Sequence, residues 1–382
     1  MKKVIGTLHL TLGLLSGLVV LIVSITGCIY VFEEELKSWL YKDRITIEVP
    51  IQASKKPLTE LFEIAQQAAG NDHPIQSVTV PTKANKTYEF RPEQIRDNTA
   101  YTHFGEIAYY HKFYLNPYTG DVVMDENTTL EFFYVVLRLH RNLLLNRKVG
   151  KMTVGVSVII FVLLLISGLI LWWPKNKKAA KQRYAFRWKT STKWKRKNYD
   201  LHNILGFYSM IILFIIACTG LVFSYKWFGD GVQWLVNGGS LPPKSERLYS
   251  DTTKVATLLP LDKILYSANQ LNAEAKAFSI NLPDKITDVV SVTVQNSEKR
   301  YKRERHLFDQ HTGQLLNTAS FDDKTTGEKL RAMNYDIHVG NILGLPGKIL
   351  AFIASLISAS LPITGFMICI GRKKMRKLKT VS

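Results

Sequence analysis

Two stretches decide the fold: Leu8–Phe32, LHLTLGLLSGLVVLIVSITGCIYVF, and Leu201–Tyr225, LHNILGFYSMIILFIIACTGLVFSY. Each is apolar over enough length to cross a hydrocarbon core, which takes about 20 residues of helix. Laid on each other at an offset of 193 residues, they agree in kind: His9 falls on His202, Gly13 on Gly206, Ser16 on Ser209 and Thr26-Gly27 on Thr219-Gly220. A span that returns with the same histidine, glycines and hydroxyls implies a duplicated unit.

Working outward, the apolar runs are Met1–Phe32, Met152–Trp173, Ile204–Phe223 and Leu343–Ile370. The second and fourth also match, Gly150-Lys151 with Gly347-Lys348 and Ile166-Ser167-Gly168 with Ile363-Thr364-Gly365. A histidine precedes each of these two, His140 in LRLHRNLLL and His338 in YDIHVGNILG. The polar segments repeat as well. PLTELFEIAQQA and PLDKILYSANQL read as helices, and FYLNPYTGDVV and HLFDQHTGQLL as hairpins whose turn glycines, Gly120 and Gly313, keep the offset. The sequence therefore predicts a membrane α-helical protein, a four-helix transmembrane bundle from two tandem repeats, each with a small α+β periplasmic domain. The expected boundaries are span 1 at 1–32, a first soluble domain at 33–132 and an interfacial segment with span 2 at 133–174. A basic loop at 175–200 leads to span 3 at 201–228, a second soluble domain at 229–335, span 4 at 336–371 and a basic tail at 372–382.

Charge orients this arrangement. Of the 382 residues 46% are hydrophobic, yet the net charge is +19. The positive residues sit in Lys2-Lys3, in Pro174–Asn198 with eleven Lys or Arg and no acid, and in Gly371–Thr380. With four crossings all three lie on one side, so the positive-inside rule puts both termini in the cytoplasm of a bacterial inner membrane and the soluble segments in the periplasm. Each basic run abuts a span, which argues for topology and against nucleic-acid binding. The first apolar run exceeds the 7–15 residues of a signal-peptide core, so it is expected to stay as a span. Cys28, Cys218 and Cys369 fall inside spans and read as small apolar fillers.

Ionisable residues at span edges are costly and mark function by default. Topology places His9 with His202 near the cytoplasmic edge and His140 with His338 near the periplasmic edge. Two imidazoles facing each other in a helical bundle are what six-coordinate haem iron needs. His9, Gly13 and Ser16 share one helical face, as do His202, Gly206 and Ser209. A glycine one turn from the ligand, Gly13 or Gly206, leaves room for a flat macrocycle or, equally, lets helices pack closely. The expectation is two haem b groups with His9/His202 and His140/His338 as axial ligands to iron. His73, His103, His111, His306 and His311 are scattered without metal-ligand spacing and read as ordinary histidines. Trp172, Trp173, Tyr225, Trp227, Arg138 and Arg141 fit an interfacial belt, Arg141 being also a candidate partner for a haem propionate. No nucleotide fingerprint, Cys-X-X-Cys-His or nucleophile–base motif is present.

The repeated LHxxLG…TG spans, LHRNLLL and above all IHVGNILGLPGKIL resemble the PepSY-associated transmembrane family, and FYLNPYTGDVV resembles the end of a PepSY domain. The resemblance covers nearly the whole chain. It implies an iron-regulated inner-membrane protein similar to haem-carrying ferric-siderophore reductases, with His9, His140, His202 and His338 at the family's histidine positions. Some relatives are fused to a flavin reductase domain that these residues do not contain. The implied function is transmembrane electron transfer from a cytoplasmic or membrane donor (a flavin reductase or quinol) to a periplasmic acceptor, a ferric siderophore by resemblance. Two other readings stand beside it: an iron-chelate permease component, and a membrane-anchored binding or protease-regulating module, which leaves the paired histidines without a role.

Overall fold

The computed structural model describes residues 1–96, 100–174, 176–242, 246–254 and 258–380; the side chains of 178, 179 and 372–380 fall outside the description, and with them most of the expected basic tail. The chain forms two compact units. One comprises 1–32, 136–229 and the chain from Asp336 onward; the other comprises 33–135 and 230–335.

The first unit holds four helices long and apolar enough to cross a membrane. Its helices are α1 (Lys2–Val31), the end of α2 (Phe132–Asn142), α3 (Arg147–Trp172), α4 (Trp194–Ser224), the end of α5 (Thr326–His338) and α6 (Leu345–Thr380). α1 packs on α3 and α6, and α4 packs on the same two, so the four long helices close into a bundle. The burial pattern is that of a membrane protein. Leu15, Leu18 and Ile211 face outward at 72%, 69% and 67% exposure, while Ser16, Thr26, Ser157, Ser209, Thr219 and Thr364 are buried. Lipid gives apolar side chains no reason to turn inward, so small residues take the helix contacts. A Cβ on Gly17 would touch Pro362 at 3.4 Å, and Ser24 donates a hydrogen bond to Ser358 at 2.8 Å. Leu165, Leu213 and Ala354 form an apolar cluster inside the bundle.

Two connections turn the chain sharply. Between α2 and α3, Leu143 and Leu144 both adopt left-handed backbone, at φ 56° and 57°. Asn146 then caps α3 by accepting from Val149 N–H at 2.8 Å. Between α5 and α6 the left-handed positions are glycines, Gly340 and Gly344. A Cβ at Gly150 would clash with the Asn142 carbonyl and one at Gly347 with the Gly340 carbonyl, so these two glycines let each span fold back on the turn before it. α4 starts at Trp194, several residues ahead of the expected edge, because the Lys/Arg-rich segment is good helix-forming sequence. Leu201–Leu205 forms a π turn within it, and His202 lies on that turn.

The second unit is one antiparallel eight-stranded sheet: β1 (Ile75–Pro81), β2 (Tyr88–Ile95), β3 (Ile107–Leu115), β4 (Val122–Asn127), β5 (Ala277–Asn281), β6 (Val289–Gln295), β7 (Glu304–Asp309) and β8 (Leu315–Ala319), in the order β4-β3-β2-β1-β5-β6-β7-β8. Here the structure differs from the expectation of two separate small domains. β1 and β5 would each leave an unpaired edge, and they pair instead, Val78 opposite Ile280 and Thr79 opposite Ser279. The Leu58–Ala69 and Leu261–Leu271 helices pack on one face. Leu61, Ala65, Ile264 and Ala268 are buried among Val78, Phe90, Phe113, Phe278, Val292 and Phe308. Asp262 accepts from the Leu58 and Thr59 N–H groups at 2.5 and 3.2 Å, so one helix caps the other and its carboxylate meets the positive helix end. The β3–β4 and β7–β8 turns carry the expected glycines in left-handed backbone, Gly120 at φ 85° and Gly313 at φ 65°.

Candidate functional site

The bundle brings the four span-edge histidines together in pairs. The His9 and His202 rings have centroids 6.4 Å apart at an interplanar angle of 87°. The His140 and His338 rings are 6.2 Å apart at 73°. α1 sets the separation of the two sites, because it carries His9 and also Gly27, against which His140 packs. Eighteen residues of helix are five turns, about 27 Å.

Each imidazole is seated in the same way on another helix. His9 Nδ1 meets the Ser167 hydroxyl at 2.9 Å, His202 Nδ1 that of Thr364 at 2.9 Å, His140 Nδ1 that of Thr26 at 3.1 Å and His338 Nδ1 that of Thr219 at 2.9 Å. The next residue is a glycine in every case. A Cβ at Gly168, Gly365, Gly27 or Gly220 would come within 3.3–3.5 Å of Cε1 of the same four rings, so the missing side chain is what admits the imidazole.

The hydrogen bonds also fix the tautomer. Each hydroxyl donates its own proton to its helix, Ser167 to Leu163, Thr364 to Ser360, Thr26 to Ile22 and Thr219 to Ile215, at 2.7–2.9 Å. It is therefore left to accept from Nδ1–H. At His140 and His338 a main-chain carbonyl, Val23 at 2.9 Å and Ile216 at 3.1 Å, accepts from the same nitrogen. A proton on Nδ1 leaves the lone pair on Nε2, and no described residue hydrogen-bonds any of the four Nε2 atoms. Burial pushes the His140 and His338 imidazoles, which lie in α2 and α5 outside the four spans, down to about 4 and keeps them neutral.

The ring separations of 6.4 and 6.2 Å leave room for one metal atom between the members of each pair, since an imidazole nitrogen ligates a first-row metal at about 2.0–2.1 Å, and two imidazoles are the protein ligands that a haem would take there. A bare ion needs three or four protein ligands, and no group of three or more His, Cys, Asp or Glu occurs among the described residues.

Gly13 and Gly206 lie on the helix faces of His9 and His202, and a Cβ there would meet Leu164 at 3.9 Å and Leu361 at 3.5 Å on neighbouring spans. Trp172, at the end of α3, is 3% exposed and stacks on Phe207 at 3.7 Å, whereas Trp173 and Trp227 are exposed. Arg141 is exposed and Arg138 buried. His73, Tyr109 and His111 stack in a row in the sheet unit, His306 binds Asn272 and Thr318, and His311 meets the Ile286 carbonyl. In the sequence the hydroxyl partners Thr26, Ser167, Thr219 and Thr364 stand out only as markers of the repeat. Their signal was a Ser/Thr-Gly dipeptide in every span, although the first span also carries Ser16-Gly17, whose hydroxyl bonds only back to Leu12.

Fold and site together define a polytopic membrane protein with two facing imidazole pairs in a four-helix bundle and a separate antiparallel sheet unit. The family model of the PepSY-associated TM region matches residues 7–372, and the chain belongs to that family. No curated protein matches the chain significantly.

Proposed function

We propose that the protein is a di-haem electron-transfer protein of the bacterial inner membrane that reduces a periplasmic acceptor, a ferric siderophore, and so releases its iron. The observation that carries this reading is the twofold histidine geometry, with spacings of 6.4 and 6.2 Å and all four Nε2 atoms left for a metal. Haem bound there would supply reversible one-electron chemistry between two sites about five helical turns apart. The chain's own contribution is to hold four imidazoles by their Nδ1 hydrogen bonds, exclude water with the Leu165–Leu213–Ala354 cluster and separate the two sites across the bundle.

The same reading includes two tandem repeats, with both termini and the basic loop in the cytoplasm and the sheet unit in the periplasm, supported by the distribution of Lys and Arg. A flavin reductase or quinol on the cytoplasmic or membrane side supplies the electron. One electron converts the chelated Fe(III) to Fe(II), which the hard oxygen donors of a siderophore hold less tightly.

The test is the visible spectrum of the purified, detergent-solubilised protein, oxidised and dithionite-reduced, with haem quantified as the pyridine haemochrome. About two b-type haems per chain are expected, and His9→Ala or His338→Ala should remove about half. Reduced protein should be reoxidised by ferric siderophore. A colourless protein from haem-replete cells removes the reading and favours a permease or binding module.

A further inference from the structure

The four hydroxyls differ in how much they carry. At His140 and His338 the Nδ1 proton has two acceptors, a threonine hydroxyl and a main-chain carbonyl within 3.1 Å. His202 has Thr364, with the Leu361 carbonyl beside it. His9 has Ser167 alone among the described residues. The carbonyls of Val23 and Ile216 belong to the helix and are not removed by any side-chain substitution.

A hydrogen bond from Nδ1–H to an oxygen raises the basicity of the ligating nitrogen and fixes the ring orientation, and loss of such a partner costs about 10–100-fold in metal affinity. A more basic ligand favours the more oxidised metal and lowers its potential.

Resting on the di-haem reading, we infer that Ser167, Thr364, Thr26 and Thr219 are positioning residues that set the tautomer and the potential of each site. Their weights are unequal: Ser167 is the sole acceptor at His9 among the described residues, while His202, His140 and His338 each have a main-chain carbonyl as well, so the His9/His202 site depends above all on Ser167. The hydroxyl acts only through the imidazole, so its effect stays within its own pair.

The experiment uses the full-length protein in two backgrounds that isolate one site each, His140→Ala for the His9/His202 site and His9→Ala for the other. The ligand lost in each background belongs to the pair that is not being read. In the first, Ser167→Ala and Thr364→Val are compared with Ser167→Thr; in the second, Thr26→Val and Thr219→Val with Thr26→Ser. Midpoint potential by spectroelectrochemical titration, the low-spin bands and the rate of haem loss are recorded. Ser167→Ala is expected to raise the midpoint, broaden the low-spin bands and speed haem loss about 10-fold or more, with Ser167→Thr restoring all three. Thr26→Val and Thr219→Val are expected to stay within about 3-fold of their parent, because the carbonyl still takes the proton. If Thr364→Val does not assemble, Ser167→Ala reports on the same site. Haem present but midpoint and retention unchanged by Ser167→Ala, or changed equally at both sites, overturns the inference and leaves the di-haem reading standing. Absence of haem from the unsubstituted protein defeats that reading itself.

Discussion

A hydroxyl followed by a glycine solves two problems at each imidazole: the hydroxyl takes the Nδ1 proton, and the glycine removes the side chain that would stand where the ring lies. Gly27 and Gly365 are the tightest of the four, with an added Cβ 3.3 Å from Cε1 of His140 and His202. Leucine there has no path around the ring. Gly365→Leu should therefore abolish binding at the His9/His202 pair and Gly27→Leu at the other, each halving the haemochrome while the remaining bands stay unchanged. Loss of both bands in either variant would mean that the glycines serve the bundle as a whole. The turn after α2 offers a stability test. Leu143 and Leu144 sit in left-handed backbone where the α5–α6 connection uses glycine, and that conformation costs a side-chain-bearing residue about 1–2 kcal/mol. Leu144→Gly should stabilise the protein by about 1 kcal/mol, seen as a higher melting temperature in detergent. An unchanged or lower value would show that the Leu144 side chain contributes more than its backbone costs. The histidines were legible in the sequence because one residue type recurs at all four span edges. The hydroxyl partners were not, since Ser and Thr in spans ordinarily bond back to the carbonyl one turn earlier. These do that too, and only the folded bundle adds the second bond.

At the scale of elements, the spans were legible from length and polarity alone, and the hairpins from Asn-Pro-Tyr-Thr-Gly and Asp-Gln-His-Thr-Gly between alternating residues. The π turn at Leu201–Leu205 was not, because the corresponding stretch around His9 is regular α-helix and the two sequences differ in no feature that dictates it. The joining of β1 to β5 was hidden for a different reason: a strand's pattern says which face is buried and nothing about which distant edge it meets. The sheet's dependence on its turns can be measured at Gly120, which combines φ 85° with a neighbour, Ile64, only 2.8 Å from an added Cβ. Gly120→Ala must both strain the backbone and push aside the end of the Ile64 side chain, a loss of about 1–3 kcal/mol. Limited proteolysis of the full-length protein should then cut faster within 33–135 than in the parent. An unchanged cleavage rate would show that the β3–β4 turn can adopt another geometry.

For the molecule as a whole, the proposed function depends on which side of the membrane the sheet unit occupies, because a reductase of external chelates needs it outside. Two exposed positions decide this. Ile51 in the sheet unit is 95% exposed, and Thr190 in the basic segment between α3 and α4 is exposed as well. With Cys28, Cys218 and Cys369 first replaced by serine, Ile51→Cys should react with a membrane-impermeant maleimide in cells whose outer membrane alone is permeabilised. Thr190→Cys should react only after lysis. The expectation rests on eleven Lys or Arg between Pro174 and Asn198, a bias that the positive-inside rule translates into a cytoplasmic loop and so fixes all four crossings at once. The opposite labelling pattern would turn the His140/His338 pair toward the cytoplasm. It would make that pair the point of electron entry and remove the periplasmic chelate as the acceptor, while leaving the geometry of both imidazole pairs as it is.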